Sequence, residues 1–320
     1  MRAVVFHRYG APERLSLQRV PRPVPGDGDV LVRIVASTVT RTDTATVRAH
    51  PFFARLATGL VRPKMRTLGM DFAGTVESVG RDVRAYRPGD RVFGLSPDHF
   101  GTHAEYLCVP ADGPIAPIPA DLGFHAAVVG EGAWYASGTT RHLEPNQSCL
   151  IYGASGAIGT AAVQLAKIRG AQVTAVVGTR HMELVARLGA DRIVNYQAED
   201  FTATDERFDL VMDAVGKTSW FACRPLLKKG GIFAATDLGP GWSNIVLSAW
   251  YGLTGRRKVI VPFPEDAPGF IRQLADYLAD GRFRGVFDRD YPLEDVVEAF
   301  RYVERGHKTG IVTVTVGASD

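Results

Sequence analysis

Residues 149–169 read CLIYGASGAIGTAAVQLAKIR. The apolar run at 149–152 predicts a short buried strand, a glycine-rich turn follows, and 159–169 has the pattern of a helix with Gly170 as its stop. The turn, Ala154-Ser155-Gly156-Ala157-Ile158-Gly159, is an A-x-G-x-x-G version of the dinucleotide fingerprint. Gly156 would let the backbone approach a pyrophosphate, and Gly159 would let the helix pack close to the strand. The phosphates would then sit on the first helical amides. A lone glycine pattern is weak evidence. Here the strand before it and the helix after it are both readable, which sets it above an ordinary strand–turn–helix of an α/β domain.

The turn sits far along the chain, so another segment must fold before it. A length of 320 residues suits two domains. The first 118 residues are β-rich, with strand candidates at 4–6, 30–35, 75–79, 91–93 and 104–109. Pro25-Gly26-Asp27-Gly28, Pro88-Gly89-Asp90 and Pro110-Ala111-Asp112-Gly113 punctuate them. The apolar-basic stretch 51–64 (PFFARLATGLVRPK) reads as a helix or an irregular excursion. After 118 the pattern alternates: strands at 172–177, 208–213 and 231–236, helices at 182–188 and 218–227. That alternation predicts an α/β chain with a doubly wound parallel sheet. Helices at 268–280 and 293–304 and a strand at 310–316 close the chain.

Composition narrows the function classes. A net charge of +3 with interspersed signs gives no signature of a nucleic-acid or membrane-surface partner. No apolar run approaches the roughly 20 residues needed to span a bilayer. The opening MRAVVFHRYG lacks the apolar core of a signal peptide. Cys108, Cys149 and Cys223 have neither metal-type nor disulfide-type spacing. Together these features lead us to expect a cytoplasmic protein.

The runs RAVVFHRYGAPERLSL, PGDGDVLVRIVAS, GMDFAGTVESVG, YRPGDRVFG, THAEYLCVP, the 149–170 fingerprint and GHKTGIVTV occur in that order. In this the chain resembles the medium-chain dehydrogenase/reductase superfamily over essentially its whole length. The resemblance implies an N-terminal chaperonin-like β domain completed by the C-terminal segment, with a Rossmann domain inserted. Its expected parts are 1–118 with 263–320, and 119–262 for the nucleotide. Zinc members of the superfamily place a cysteine where this chain has Thr40, and His-Glu where it has Met70-Asp71. They also carry a four-cysteine lobe where it has LSPDHFGTHAEY. Thr40, Met70 and Asp71 do not form the thiolate and imidazole set that zinc requires. We therefore expect no bound metal, and the chain is most similar to the zinc-independent quinone oxidoreductase and enoyl reductase branch.

The end of the second Rossmann strand bears on cofactor choice. An acidic residue there binds the ribose 2′-hydroxyl of NAD, but this chain has Gly178-Thr179-Arg180-His181. Arg180 offers a planar fork of donors to a 2′-phosphate, and Thr179 a hydroxyl, so NADPH is expected. The resemblance adds Tyr196 beside that phosphate, Ala214 and Val215 in the loop by the ribose, and Thr236, Asp237 and Leu238 near the nicotinamide. Lys308 and Arg41 match phosphate-contacting positions of relatives, although a loop lysine is usually just exposed.

Without a metal, side chains must stabilise charge and move the proton. The resemblance places Thr42 at the proton-relay position of the zinc enzymes and Thr40 at the lost cysteine. Either threonine would serve equally as a strand former. Asp43 and Asp71 are expected to be structural. In Gly130-Glu131-Gly132-Ala133-Trp134-Tyr135, Glu131 in an apolar site would act as an acid, and Tyr135 would donate a proton or bind an oxyanion. A helix N-terminal acid and a core aromatic are the competing readings. His99, His103, His125 and His142 form no ligand-spaced set.

The expected activity is hydride transfer from NADPH to the C=C of an α,β-unsaturated carbonyl or to a quinone. The alternatives are a zinc-free carbonyl reductase or alcohol dehydrogenase, and a non-catalytic NADPH-binding regulatory or structural protein. The expected partners are a small-molecule enone, quinone or carbonyl substrate, and a second copy of the chain. The apolar, β-branched region 243–261 offers a candidate sheet edge for such a homodimer.

Overall fold

The computed structural model describes residues 1–52, 55–254, 258–262 and 264–317. The chain divides into two compact units, Met1–Glu131 with Asp266–Asp320, and Gly132–Glu265. In the first unit β1 (Arg2–Val5) and β2 (Ser16–Arg19) form an antiparallel pair. The main sheet of this unit is built around β3 (Asp29–Val39), which is buried along most of its length. Its valines and isoleucine fill both faces, as a central strand requires. After β3 come α1 (Arg41–Arg48), the short α2 (Arg55–Thr58), β4 (Asp71–Val79), β5 (Arg91–Leu95), β6 (Tyr106–Pro110) and β7 (Ile115–Pro117). β4 runs antiparallel along one edge of β3, and β6 takes the first part of the other edge.

Helices α3 (Phe124–Ala127) and α4 (Gly130–Thr140) lead to the second unit's sheet. There the chain passes through β8 (Ser148–Tyr152), α5 (Ala157–Ile168), β9 (Gln172–Val177), α6 (Met182–Arg187), β10 (Arg192–Asn195), β11 (Phe208–Asp213), α7 (Trp220–Cys223), β12 (Leu227–Ala235), α8 (Ser243–Leu253) and β13 (Val259–Ile260). Every pairing is parallel, in the order β10-β9-β8-β11-β12-β13. The order reverses between β8 and β11. Ligands of doubly wound sheets bind at that point, beyond the carboxyl ends of the strands. Leu150, Val211, Phe233 and Trp220 form the core beside it.

The chain then returns to the first unit through α9 (Ala267–Ala279), β14 (Phe287–Pro292), α10 (Val296–Glu304) and β15 (Ile311–Thr315). β15 pairs antiparallel with Ala36–Val39, the part of the β3 edge that β6 leaves free.

Several expectations change in detail. The 218–227 helix is one turn of α7 followed by a 3-10 turn at Arg224–Leu226, because Pro225 ends the α-helical pattern. The strand expected at 231–236 begins earlier, at Leu227, and shifts register against β11. Most of 243–261 is not a sheet edge. Ser243–Leu253 is helix α8, whose Leu247 and Tyr251, four residues apart, pack on the core. Val246, Trp250 and Leu253 face outward, and only Val259–Ile260 adds an edge strand. Residues 255–257 of that stretch, and 53–54 of the apolar-basic one, lie outside the described residues. Among the described residues of 51–64, Arg55–Thr58 forms an α-helical turn.

Candidate cofactor and acid sites

The glycine turn follows β8 directly, and Gly156 is the N-cap of α5 with no side chain satisfying the first amides. Those amides are left to an external acceptor. A Cβ on Gly159 would run into the Gly153 carbonyl and the Ala154 backbone, so only glycine lets α5 close on the strand. A Cβ on Gly156 would meet its nearest neighbour only at 3.7 Å, leaving open the face a pyrophosphate would use. Ala154 is buried, while Ser155, Ala157 and Ile158 are part-exposed around the turn.

At the end of β9 the backbone N–H of Thr179 donates to Gln197 Oε1 at 2.9 Å, and Asn195 Nδ2 donates to Thr179 Oγ1 at 2.9 Å. Arg180 is exposed, its Nε 3.1 Å from His181 Nε2. Tyr196 is half exposed and stacks near Tyr152, its hydroxyl beside Gly178. Gly178, Thr179, Arg180 and Tyr196 therefore surround one end of the strand.

Beyond β11, buried Asp213 accepts from the N–H groups of Val215, Gly216 and Thr218 at 3.0, 2.9 and 2.8 Å. This shapes the Ala214–Val215 loop and leaves Val215 part-exposed above Gly153. Sequence reading gave Asp213 no such role. A buried acid at a strand's end, followed by a glycine turn, was the available signal. Thr236 Oγ1 bonds the Asp213 carbonyl at 3.3 Å. The Asp237 carboxyl is used within its own turn, accepting from Gly239 N and Asn244 Nδ2, both at 3.2 Å. Leu238 is part-buried in the same turn. The residues of this unit thus provide bare amides, an open backbone face and a cationic strand end, a donor set that fits a nicotinamide dinucleotide.

The first unit holds a second cluster. Thr40 follows β3 and caps α1: its Oγ1 accepts from Asp43 N at 3.4 Å and donates to the Asp43 carboxyl at 3.0 Å, and that carboxyl accepts from Thr40 N at 2.9 Å. This is a reciprocal capping box, legible in the spacing T-R-T-D. The Thr40 hydroxyl, expected to contact substrate, is thus engaged by its own helix. The other Asp43 oxygen accepts from Gly69 N at 2.8 Å. Asp71, at the start of β4, accepts from Thr38 Oγ1 and from Glu131 N, each at 2.8 Å.

Glu131 is buried at the start of α4. Thr42 Oγ1 donates to its Oε1 at 2.6 Å, while its buried Oε2 has no hydrogen-bond partner. Burial first, then the nearby Asp43 and Asp71, hold the Glu131 proton well above the usual carboxylate range; the Thr42 and Thr40 hydroxyls offset part of this. Burial also pushes Asp71 up to about 6.

Lys308 was read as a contact to the cofactor phosphates, with an exposed loop lysine as the competing reading. It is part-buried in the first unit, and its ammonium bonds the Gly310 carbonyl. Burial, together with Arg41, lowers it to about 8 against the attraction of Glu131 and Asp288. Lys308 and Arg41 thus lie within electrostatic range of each other on the Glu131 side of the cluster.

Tyr135 belongs to the second unit, part-buried beside the Trp134 ring at 5.9 Å. His103 is fully buried and bonds the Thr38 carbonyl at 2.8 Å, a structural position. Among the described residues no group of three or more His, Cys, Asp or Glu side chains could hold a metal ion, and no helix is long and apolar enough to cross a membrane.

Residues 26–120 match the alcohol dehydrogenase GroES-like domain family, and 188–314 the zinc-binding dehydrogenase family. The chain is 29% identical to a chloroplastic quinone-oxidoreductase of Triphysaria versicolor, covering 98% of each. It is 30% identical to a 2-methylene-furan-3-one reductase of Solanum lycopersicum, covering 98% of this chain and 79% of the relative. The solved structure of the quinone oxidoreductase from Coxiella burnetii superposes with a TM-score of 0.85 at 27% identity, covering 99% of both chains.

The buried acid has a consequence for stability. In the unfolded chain Glu131 loses its proton near its ordinary 4.5, whereas the folded chain holds it to higher pH. Over that window the folded state binds more protons, so stability falls as pH rises. Glu131→Gln preserves shape and removes this titration. It should be more stable than the wild type at pH 8, with the gap closing by pH 4. Denaturant midpoints at the two pH values measure it, and a gap independent of pH would remove the assignment.

Proposed function

We propose, from the premise that the chain belongs to the medium-chain dehydrogenase/reductase superfamily, that it is a zinc-independent, NADPH-dependent reductase of an activated C=C bond or a quinone. The acceptor class is supported by the relatives, named as quinone-oxidoreductases and a 2-methylene-furan-3-one reductase. The observation that carries the chemistry is the Thr42–Glu131 pair, a buried acid that holds its proton well above the usual carboxylate range, with one oxygen fixed and the other without a partner.

A nicotinamide dinucleotide held at the Gly156 turn would supply a hydride. The chain's own groups handle the proton and the charge. Thr42 fixes Glu131 Oε1, so the proton is held at Oε2. In reduction of an unsaturated carbonyl, hydride adds at the β-carbon and the α-carbon or oxygen takes this proton. Glu131 is then an anion, and the positive charge of Lys308 offsets it. The capping box of Thr40 and Asp43 keeps Thr42 in place on the first turn of α1.

NADPH is the preferred cofactor in this reading. β9 ends without an acid, and Arg180, Thr179 and Tyr196 gather there instead. Arg180→Ala should weaken NADPH binding by about ten- to a hundredfold, the worth of a charged hydrogen bond, and NADH binding by less than about threefold. Titration of both cofactors by fluorescence tests this, and equal losses would remove the 2′-phosphate role.

With enones or quinones and no added metal, Glu131→Gln should lower kcat by about 10²–10⁴-fold. Thr42→Val should lower it less. The wild-type rate should fall as pH rises through about 8, where Lys308 loses its charge, and Lys308→Met should abolish that limb. A panel of enones, quinones and aldehydes reads out all three; activity confined to aldehydes would favour the carbonyl-reductase alternative.

The reading includes a cytoplasmic homodimer. Free cysteines suit a reducing compartment. The outward Val246, Trp250 and Leu253 of α8 suit a second copy. Sedimentation should show a dimer that Trp250→Asp dissociates, and a monomeric wild type would count against it.

A further inference from the structure

Between Asp43 and Asp71 the sequence has no acidic residue but carries Arg48, Arg55, Arg62, Lys64 and Arg66. Two of these are occupied. Arg48 pairs with Glu304, and the Arg55 guanidinium lies 4.9 Å from the Tyr9 ring centroid. Arg62 and Arg66 instead line a cavity of about 230 Å³ with Pro63, His7 and Arg8. Among the described residues no carboxylate pairs with Arg8, Arg62 or Arg66, whereas Arg2, Arg22, Arg48 and Arg301 are all paired with glutamates. In a chain whose net charge is only +3, this is a local excess of positive charge with no counter-charge of its own.

The cavity has fixed walls. Phe6 N donates to the Arg66 carbonyl at 2.9 Å, and Tyr9 Oη donates to the Gly59 carbonyl at 2.8 Å. Lys64 N closes the intervening loop onto the Thr58 carbonyl at 2.8 Å. At Gly59 the backbone is left-handed, with φ +119°, and a Cβ would strike the Arg62 carbonyl. The arginines therefore project from a braced loop, and Pro63 forms a buried side.

Volume and position narrow the ligand. Whole-ligand pockets usually measure about 300–1,000 Å³, so this cavity suits a charged group rather than an entire substrate. Arg66 lies three residues before Gly69, whose N–H holds Asp43 in the acid cluster. Three residues span at most ~11 Å. The backbone at Arg66 therefore lies within ~11 Å of Gly69, and the segment carrying these arginines leads directly into that cluster.

We propose that the His7–Arg8–Arg62–Arg66 cavity binds the anionic end, a phosphate or carboxylate, of a substrate whose reacting double bond lies at the Thr42–Glu131 pair. This deepens the reductase reading and rests on it. Guanidinium forks match both anions bidentately, and no acid has to be displaced.

The test compares the wild type with an Arg62→Ala/Arg66→Ala double variant, both positions being exposed and outside the acid cluster. The substrates are a linear enone ending in a carboxylate about eight carbons from the double bond, and its methyl ester. For the carboxylate, the variant should lose at least about tenfold in kcat/KM, mostly through KM, and the wild-type preference should shrink with salt. The ester should change less than about twofold. Equal effects on the two substrates, or none on the carboxylate, would overturn the proposal.

Calorimetry with inorganic pyrophosphate on NADP⁺-saturated protein tests the cavity apart from turnover. One equivalent should bind to the wild type and about tenfold more weakly to the variant. No binding, or equal binding, overturns the site even if the enones are reduced. Pyrophosphate binding without any carboxylate preference overturns the substrate-tail role and leaves a site for free anions. If binding behaves as expected but neither enone is reduced, it is the reductase reading that fails.

Discussion

The Asp71 carboxyl is the tie on which the first unit's chemistry depends. It is buried at the head of β4, with one oxygen on the Thr38 hydroxyl from β3 and the other on the backbone N–H of Glu131. Two neighbouring strands and the first turn of α4 are thereby held to one group. Asp43 makes a parallel tie, joining the cap of α1 to Gly69. Glu131 and Thr42 come from distant parts of the sequence, and these two carboxyls set where each side chain can point. Their hydrogen bond at 2.6 Å is the outcome of that framing.

The same arrangement is costly. Three carboxyl groups lie buried in the first unit, and burial disfavours the charge on Glu131 and Asp71. An apolar residue in place of Glu131 would pack there without that penalty. A buried group that lowers stability while keeping a proton available is the compromise expected of working sites. Lys308 fits this picture, since its burial is a second cost, offset in part by the negative charge of neighbouring carboxylates and by the Gly310 carbonyl.

Much of this was legible in the sequence, for local reasons. The strand–turn–helix at 149–169 depends on nearby residues, and β9 and β11 came out with the bounds expected of them. Thr40 shows where local reading stopped short. Its capping-box spacing was visible in T-R-T-D, yet family position drew attention to substrate instead. Lys308 could not be placed, because its burial arises from β15 and α10 packing around a loop that looks polar in sequence. The 243–261 stretch failed for another reason. Its apolar residues suit a strand or a helix equally, and the four-residue spacing of Leu247 and Tyr251 against the core decided for the helix.

The pairing of β15 with β3 sets an order of assembly. Residues 36–39 form their ladder with residues 312–315, from nearly the opposite end of the chain. As the chain leaves the ribosome, the second unit's parallel sheet has all its strands well before β15 exists. Until then, that part of the β3 edge has unpaired backbone groups, the condition under which nascent strands associate wrongly. Truncation near the C-terminus would therefore expose a sticky edge near the middle of the N-terminal sheet, a defect far in sequence from the residues removed.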